Sequence, residues 1–289
     1  SRRGTLFVED ATILERRDYP GSQFVLRMRA PRCAGAARAG SFIHLRCDDS
    51  IPMRRPLSIL RAEPREGWIE VLFKIVGEGL RALGGRSAGE TLNLIGPIGR
   101  GFENRAARPR ALLLGGGVGI PPVLFLAEQM LREGRTAPVL LMASELPFPF
   151  ELGRSGLACG WLDAGCCATV PALERQGVLV RLASLSGFDG VYGGYVTELA
   201  RHYLRSLAGA ERGETEIFAC GPSPMLHAVA ALAREFALPC QVSLEEYMAC
   251  AVGGCAGCTV LVHGADGPAM KRVCVDGPVF DAASVFAGG

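Results

Sequence analysis

The sequence predicts a multidomain protein with an antiparallel β-barrel, an α/β domain built on a parallel sheet, and a small C-terminal domain. Three observations carry this prediction: strand-like alternation in the first third of the chain, apolar strands alternating with helical periods in the middle, and a tail rich in Gly and Cys. We place the domains at residues 1–106, 107–237 and 238–289. A chain of 289 residues is typical of about two ordinary domains, so we expect the third to be small and to need a metal to fold.

The barrel is predicted from six short runs in which Val, Ile, Leu and Phe alternate with polar residues. Turn residues separate the runs, and only Glu78–Leu83 has the pattern of a helical turn. Short strands joined by Gly, Pro and Asp turns are typical of a small antiparallel barrel. The runs are Thr5–Leu14, Gln23–Arg29, Ser41–Cys47, Pro56–Arg61, Trp68–Val76 and Thr91–Ile95.

The pattern changes after Asn104–Arg110, an Arg-rich stretch that we interpret as a linker. Continuous apolar runs then alternate with helical periods, which is typical of an open parallel sheet. Glu151–Leu173 is irregular and receives no assignment. The predicted strands are Ala111–Leu114, Val139–Ala143, Val178–Ala183 and Thr215–Ala219, and the predicted helices are Val123–Arg132, Val196–Leu207 and Met225–Phe236.

Composition excludes several classes of protein. Lys and Arg number 31 against 29 Asp and Glu, so a net charge of +2 gives no field for nucleic-acid binding. The longest uncharged apolar stretch, Ala111–Ala127, is too short and too interrupted by Gly and Pro to span a bilayer. No secretion signal opens the sequence, and eleven Cys is an odd number, so we expect a reducing, cytoplasmic location.

Four of the cysteines cluster late in the chain. Cys250, Cys255 and Cys258 follow the spacing x4 and x2, and Cys274 stands alone further on. This is the plant-type pattern for a [2Fe–2S] centre, in which thiolates hold iron. A four-cysteine zinc site is the alternative, although such sites usually use two short-spaced pairs.

The loop that carries these cysteines is also rich in glycine. Gly253, Gly254 and Gly257 are expected to supply positive φ and room for backbone N–H groups to approach the cluster. The remaining seven cysteines are predicted to be small buried hydrophobes. They are Cys33, Cys47, Cys159, Cys166, Cys167, Cys220 and Cys240.

A glycine-rich turn follows the first predicted strand of the middle domain. Gly115, Gly116, Gly117 and Gly119 would let the backbone approach a pyrophosphate at the amino end of the next helix, although a simple tight turn is the alternative. After the second strand, Glu145 could bond a ribose hydroxyl and repel a 2′-phosphate. This favours NAD over NADP, unless Glu145 is only a solvated loop residue.

An arginine motif lies on the predicted barrel. In MRRPLSIL, Arg54, Arg55 and Ser58 surround a proline, and Arg is suited to bidentate contact with a pyrophosphate. The next strand continues as KIVGEGL, where Lys74 precedes a short helix, and we expect the N–H groups of that helix to meet the same phosphates. Alone, the arginines would be more typical of a basic surface pair.

Together these motifs resemble a known family. In order, RRPLSI, KIVGEG, GPIGRGF, LLLGGGVGIPP, ACGPSPM and SLEEYMACAVGGCAGC resemble the electron-transfer subunit of bacterial dihydroorotate dehydrogenase, a member of the ferredoxin–NADP reductase superfamily. The resemblance covers nearly the whole chain apart from Glu151–Leu173. It implies a barrel that binds FAD, an α/β domain that binds NAD, and a [2Fe–2S] tail.

The resemblance also implies site residues. Leu80 departs from the family pattern because it lacks a hydroxyl, and Tyr247 replaces a common Arg. Cys220 is expected near the nicotinamide, with a buried strand cysteine as the alternative. The implied FAD contacts are Arg55, Pro56, Leu57, Ser58, Leu72, Phe73, Lys74, Gly79 and Leu80, and the implied iron ligands are Cys250, Cys255, Cys258 and Cys274.

The function implied by the resemblance is electron transfer in pyrimidine biosynthesis. A catalytic, FMN-containing dihydroorotate dehydrogenase subunit would pass electrons through the [2Fe–2S] centre and FAD to NAD⁺, in an assembly of two copies of each chain. The alternatives are a subunit of an NAD(P)H:ferredoxin reductase or sulfhydrogenase complex and, from another class, a non-enzymatic zinc-stapled binding module. The four His residues are scattered, so none is predicted to be a general base, and hydride transfer needs alignment rather than proton abstraction.

Overall fold

A computed structural model describes residues 6–103 and 108–286. The chain divides into two compact units. One unit is Ser1–Phe102 with Leu244–Val279, and the other is Glu103–Ser243 with Phe280–Gly289. Much of the cysteine-rich tail therefore belongs to the same unit as the N-terminal strands. The expected domain boundary at 106/107 lies outside the described residues, and the three-domain division stays a prediction.

The first unit contains the predicted barrel, with six antiparallel strands closed in the order β1-β2-β5-β4-β3-β6. Each predicted run overlaps one strand, so the barrel is confirmed. Two helices lie between strands, and the second contains the predicted turn Glu78–Leu83. The elements are β1 Phe7–Tyr19, β2 Gln23–Arg29, α1 Pro31–Ala36, β3 Phe42–Leu45, β4 Arg55–Glu63, β5 Trp68–Lys74, α2 Gly77–Gly84 and β6 Thr91–Ile98.

The second unit is built on a seven-stranded sheet in the order β12-β11-β8-β7-β13-β14-β17. The pairs from β12 through β14 are parallel, as predicted for this part of the chain. The elements are β7 Arg110–Gly116, α3 Ile120–Arg132, β8 Val139–Ala143, β9 Gly153–Arg154, β10 Ala168–Thr169, α4 Pro171–Glu174, β11 Leu179–Ser184, β12 Tyr192–Gly193, α5 Val196–Ser206, α6 Gly209–Gly213, β13 Thr215–Cys220, α7 Ser223–Glu235, β14 Cys240–Ser243, β17 Val279–Asp281 and α9 Ala282–Val285.

Two features of this sheet differ from the expectation. The tail contributes β14 and β17 to the sheet, two strands that were not among those predicted. Both strands are short, and β14 contains Gln241 and Ser243, so neither has the apolar run that marks a buried strand. The unassigned stretch Glu151–Leu173 contains the small β9–β10 pair and the start of α4.

The cysteine-rich tail adds an antiparallel hairpin and one helical turn to the first unit. These are β15 Thr259–Gly264, β16 Gly267–Arg272 and α8 Val273–Asp276. Within 6–103 and 108–286, none of the helices has the length and apolar character needed to cross a membrane.

Candidate functional site

The two arginines of the barrel motif have different surroundings. Arg54 is fixed to the barrel wall, because its Nη1 donates to the carbonyls of Asn93 at 2.8 Å and His44 at 3.3 Å, and its Nη2 donates to Asn93 Oδ1. Arg55 Nη1 donates to the carbonyl of Met53 at 2.7 Å, and its guanidinium lies beside α2. Arg54 therefore stabilises the barrel, and Arg55 is the arginine available for an anion.

Gly79 leaves the space that the Arg55 guanidinium occupies. A Cβ on this residue would lie 2.9 Å from the Cζ, Nε and Nη2 atoms of Arg55, closer than real contacts allow. Gly79 is in the first turn of α2, where unpaired backbone N–H groups and the helix dipole favour negative charge. The arrangement joins a cation to a helix amino end, which fits a pyrophosphate.

The other predicted FAD contacts differ in exposure. Leu57, Leu72 and Phe73 are 7%, 4% and 2% exposed, and Phe73 stacks on Phe24 with ring centroids 5.4 Å apart. Because these side chains belong to the barrel core, their backbone atoms are the parts that can contact a flavin. The remaining predicted contacts are at least partly exposed; they are Pro56, Ser58, Lys74 and Leu80.

His44 is a buried residue of this barrel that sequence reasoning treated only as scattered. It is 1% exposed and lies opposite Pro56 in the β3–β4 register. Neither ring nitrogen has a hydrogen-bond partner among the described residues. Burial, with the nearby Arg54 guanidinium, lowers the pKa of His44 to about 4, so the ring is neutral near pH 7. A single His in an apolar strand gives no signal by which the sequence could have identified this.

The four clustered cysteines form two pairs. The sulfurs of Cys258 and Cys274 lie 3.3 Å apart and both residues are buried. In the other pair, the Cys255 backbone N–H donates to Cys250 Sγ at 3.4 Å, and Cys255 is exposed. The predicted ligands are therefore brought together in one unit, with one pair inside the fold and the other near solvent.

Backbone donors surround these sulfurs. Burial opposes ionisation of Cys250, but the N–H groups of Cys255 and Val252 outweigh it and lower the pKa of the thiol to about 6. Burial and the Cys258 thiol raise the pKa of Cys274 to about 12, against the N–H of Gly253. With that pKa, the Cys250 thiol is ionised near pH 7. Thiolate is the form that binds metal.

The backbone of the loop corrects one expectation from the sequence. Gly253 has a φ of +84°, as predicted, but Gly254 and Gly257 do not have positive φ. Ala251 and Ala256 occupy that region instead, at 56° and 55°. The prediction failed there because Ala adopts the left-handed region only when the surrounding structure compels it, and composition does not reveal this.

Gly254 and Gly257 instead provide space beside the sulfurs. A Cβ on Gly254 would lie 3.9 Å from Cys250 Sγ, and one on Gly257 would lie 3.6 Å from Cys255 Sγ. A side chain at either position would therefore occupy room next to a predicted ligand. Both are ordinary van der Waals distances, so the room for N–H groups beside the cluster stays a prediction.

The pairing bears on which metal the cysteines suit. Among the described residues, no three Cys, His, Asp or Glu side chains are grouped as ligands of a single ion. A structural zinc site needs four donors converging on one ion. Each iron of a [2Fe–2S] centre takes two protein ligands, since bridging sulfides complete its coordination, so two thiol pairs fit the two-iron centre better.

The tail packs on the barrel at the motif GPIGRGF, whose role the sequence did not explain. Arg100 and Pro278 form a backbone bridge, and a Cβ on Gly99 would lie 2.4 Å from Pro278 Cδ. Gly99 has a φ of +90°, so glycine is required there on both counts. The motif therefore holds the cysteine-bearing segment against the arginine-bearing barrel within one unit.

In the second unit, the glycine-rich turn lies where the strand order reverses. The chain runs outward from β7 through β8, β11 and β12, then returns to β13 on the other side of β7. Open α/β sheets bind ligands at this position, beyond the carboxyl ends of the strands. The turn leads from β7 through a 3-10 turn, Gly117–Gly119, into α3.

Most of the four glycines have a reason within the fold. A Cβ on Gly115 would lie 2.7 Å from Val123 Cγ2, one on Gly116 would lie 2.4 Å from Met225 Sδ, and one on Gly119 would lie 2.5 Å from the Cys220 carbonyl carbon. Only Gly117 faces open space, with a φ of +54°. Close packing thus accounts for three of the glycines, and their contact with a nucleotide stays a prediction.

Glu145 and Cys220 lie on either side of this turn. The Glu145 carboxylate accepts from Ser186 Oγ at 3.0 Å and from the Leu185 N–H at 3.3 Å, so the loop after β11 orients it. Cys220 ends β13 opposite Gly115 and is 1% exposed. The roles of both residues toward NAD stay predictions.

Comparison with known proteins identifies a matching family model and similar chains. A family model described as the iron-sulfur cluster binding domain of dihydroorotate dehydrogenase B matches residues 245–286. The chain is 32% identical over 294 residues to the dihydroorotate dehydrogenase B (NAD(+)) electron transfer subunit of Bacillus caldolyticus, covering 98% of each. It is 28% identical over 281 residues to the subunit of the same name from Shouchella clausii, covering 95% of this chain and 96% of the relative.

A solved structure shares the fold. It is that of an NADH-dependent reduced ferredoxin-NADP oxidoreductase, with a TM-score of 0.75 and 24% identity. The match covers 95% of this chain and 89% of that chain. At this identity the likeness concerns the architecture alone.

Proposed function

This chain belongs to the family of dihydroorotate dehydrogenase B (NAD(+)) electron transfer subunits, and from this we propose that it carries electrons from a catalytic partner to NAD⁺. The partner is an FMN-containing subunit that oxidises dihydroorotate in pyrimidine biosynthesis. We further propose an assembly of two copies of each chain and a cytoplasmic location, where the odd number of thiols remains reduced.

The observation that carries the proposal is the pairing of the four thiols. Cys250 lies with Cys255, and Cys258 with Cys274, inside the segment that the iron-sulfur family model matches. When bound, the [2Fe–2S] centre carries single electrons and FAD stores two, which allows hydride transfer to NAD⁺. The residues of the chain position these groups and set the electrostatics around them.

Arg55 and the amino end of α2 are the proposed holders of the FAD pyrophosphate. The Arg55 guanidinium offers a planar pair of donors for phosphate oxygens, and the first turn of α2 adds N–H groups. The other proposed contacts lie on β4 and β5. Side chains are available from Pro56, Ser58 and Lys74, and backbone atoms from Leu57, Leu72 and Phe73. Leu80 has no side-chain hydroxyl, so only its backbone N–H can donate there.

The cysteine-bearing loop gives the centre a buried side and an exposed side. Cys258 and Cys274 are 3% and 4% exposed, while Cys255 is open to solvent. Tyr247, which precedes the loop, is 96% exposed. We propose that the exposed side faces the catalytic partner, because electron transfer requires close approach and the buried side is covered by this chain.

The open turn at Gly117 and the carboxylate of Glu145 are the proposed contacts for NAD. Both lie at the carboxyl ends of neighbouring parallel strands, β7 and β8. An oriented carboxylate accepts bonds from a ribose hydroxyl and repels a 2′-phosphate. Cys220 ends β13, which pairs with β7 on the side opposite β8, and it is the proposed neighbour of the nicotinamide.

Three measurements on the purified protein test the proposal. The visible spectrum is expected to show flavin and iron–sulfur bands, and NADH is expected to reduce artificial acceptors. The isolated chain is not expected to oxidise dihydroorotate, whereas the complex formed by co-expression with the FMN subunit is. Dihydroorotate turnover by the isolated chain would contradict the assignment of roles, and a colourless zinc protein would support the binding-module alternative.

The alternative partner is tested by co-purification. A ferredoxin reductase or sulfhydrogenase complex would use the same cofactors, so spectra do not separate these readings. We expect the chain to form a stable complex with the FMN-containing dihydroorotate dehydrogenase subunit of the same organism. Its failure to bind that subunit, together with binding to another redox partner, would favour the alternative.

A further inference from the structure

Arg272 joins the segments that carry the predicted iron ligands. It is the last residue of β16, and its Nη1 donates to the carbonyl of Gly253 at 2.9 Å. Gly253 lies in the loop between Cys250 and Cys255, while Arg272 is two residues before Cys274. One guanidinium therefore connects the loop of the exposed pair to the turn that holds a cysteine of the buried pair.

The contact between Gly253 and Arg272 is close. The Gly253 carbonyl accepts from Arg272 Nη1, and a Cβ placed on Gly253 would lie 3.4 Å from the same nitrogen, so the loop backbone lies directly against the guanidinium. Glycine is required at this position, since a Cβ placed on it would lie only 2.5 Å from Val275 Cγ2. The Gly253 φ of +84° lies in the left-handed region, which favours glycine.

Arg272 is itself held in place. Its backbone N–H donates to Asp276 Oδ2 at 2.9 Å, and its Nε lies 3.9 Å from the same oxygen. On the neighbouring strand it pairs with Thr259, directly after Cys258. The Val273 N–H also donates to the Cys258 carbonyl at 2.9 Å, so the backbone on both sides of Arg272 is fixed.

We propose that Arg272 is a positioning residue that raises the reduction potential of the [2Fe–2S] centre by holding the Gly253 backbone of the cysteine loop and by placing positive charge beside that loop. This rests on the proposed function, which supplies the centre. One-electron reduction adds a negative charge, and hydrogen bonds and cations near the sulfurs favour that more negative state. Removing Arg272 thus disfavours reduction.

The test is a redox titration of the cofactor-loaded complex, followed by electron paramagnetic resonance. We expect Arg272→Met to lower the equilibrium constant for reduction about tenfold, which is about 59 mV for a one-electron couple. Arg272→Gln keeps a donor for the Gly253 carbonyl but loses the charge, so its shift should be smaller. Arg272→Lys keeps the charge and should shift the potential least.

Lys271→Met is the matched control. Lys271 is an exposed cation on the same strand, one residue away, and its side chain points to the other face of the hairpin. It should leave the potential close to that of the wild type. Equal shifts in Lys271→Met and Arg272→Met would show an unspecific charge effect and would overturn the proposal.

The remaining outcomes also decide the matter. An unchanged potential in Arg272→Met at full cluster content would overturn the role of Arg272 and leave the proposed function intact. If Arg272→Met loses the cluster, the reduction potentials of Arg272→Gln and Arg272→Lys are compared with that of the wild type instead. An unchanged potential in Arg272→Gln would then overturn the proposal. Loss of the cluster from all three variants would assign Arg272 to assembly rather than potential. A wild-type protein without any cluster would instead refute the proposed function.

Discussion

Replacing Gly79 with Ala tests whether Arg55 and α2 form the FAD pyrophosphate site. The new Cβ would lie 2.9 Å from three atoms of the guanidinium, so Arg55 must leave its place beside the helix. A hydrogen bond to a charged group is worth about 1.5–3 kcal/mol, so loss of this contact should weaken FAD binding by about 10- to 100-fold. The fold should tolerate the change, because an arginine end is flexible and Ala favours a helix over Gly by up to about 1 kcal/mol.

The assay is titration of flavin-depleted protein with FAD, followed by flavin fluorescence, with thermal unfolding measured in parallel. Gly35→Ala is the control, because Gly35 is also helical and a Cβ there would meet nothing within 4 Å. We expect both variants to keep the melting temperature of the FAD-free protein, and only Gly79→Ala to lose affinity. If Gly79→Ala bound FAD as tightly as Gly35→Ala does, the reasoning about Arg55 would be refuted.

Three further predictions address the other sites. Cys258→Ser should abolish the iron–sulfur absorption. The control Cys240→Ser, which changes a buried cysteine of β14, should leave the iron content unchanged. Iron retained by Cys258→Ser would contradict the ligand assignment. Glu145→Arg should raise the use of NADPH relative to NADH in steady-state assays, and an unchanged preference would remove the ribose contact. His44 has a pKa lowered from 6.5 to about 4, so the folded state binds its proton less readily than the unfolded state and stability falls as pH drops below about 6.5. Between pH 7 and pH 5 the free energy of unfolding, measured in urea, should fall by about 2 kcal/mol. His44→Gln should remove this loss, whereas the control His263→Gln, at an exposed site, should retain it. The same loss in His44→Gln would refute the assignment of the pH dependence to His44.

The features that the sequence predicted well are those set by local pattern. Gln23–Arg29 and Val139–Ala143 are strands with the predicted bounds, because alternation or a continuous apolar run reflects the face that each strand buries. The cysteine spacing likewise reports a local loop, and the structure brings all four thiols together in pairs. Local pattern was enough for these because few distant contacts decide them.

The features that the sequence did not predict depend on distant contacts. β14 is a short strand with two polar side chains, and only its pairing with β13 makes it part of the sheet. Ala251 and Ala256 adopt positive φ, which is uncommon for a residue other than glycine and which composition does not reveal. The contact between Arg272 and Gly253 spans 19 residues, and no motif marks it.

The distinction between Arg54 and Arg55 is a similar case. Both belong to the same motif, but Arg54 precedes β4 and Arg55 is its first residue. Only the structure shows that Arg54 is bonded to Asn93, while Arg55 lies beside Gly79. The sequence therefore offered two candidate arginines, and packing shows which of them lies beside the amino end of α2.

Iron and inorganic sulfide analysis of anaerobically purified protein is the most direct test of the central claim that the two thiol pairs hold a two-iron centre. We expect two irons and two sulfides per chain, with a paramagnetic signal after one-electron reduction, and loss of all three in Cys258→Ser. Protein that carries one zinc ion and no sulfide, or full iron content in Cys258→Ser, would contradict it.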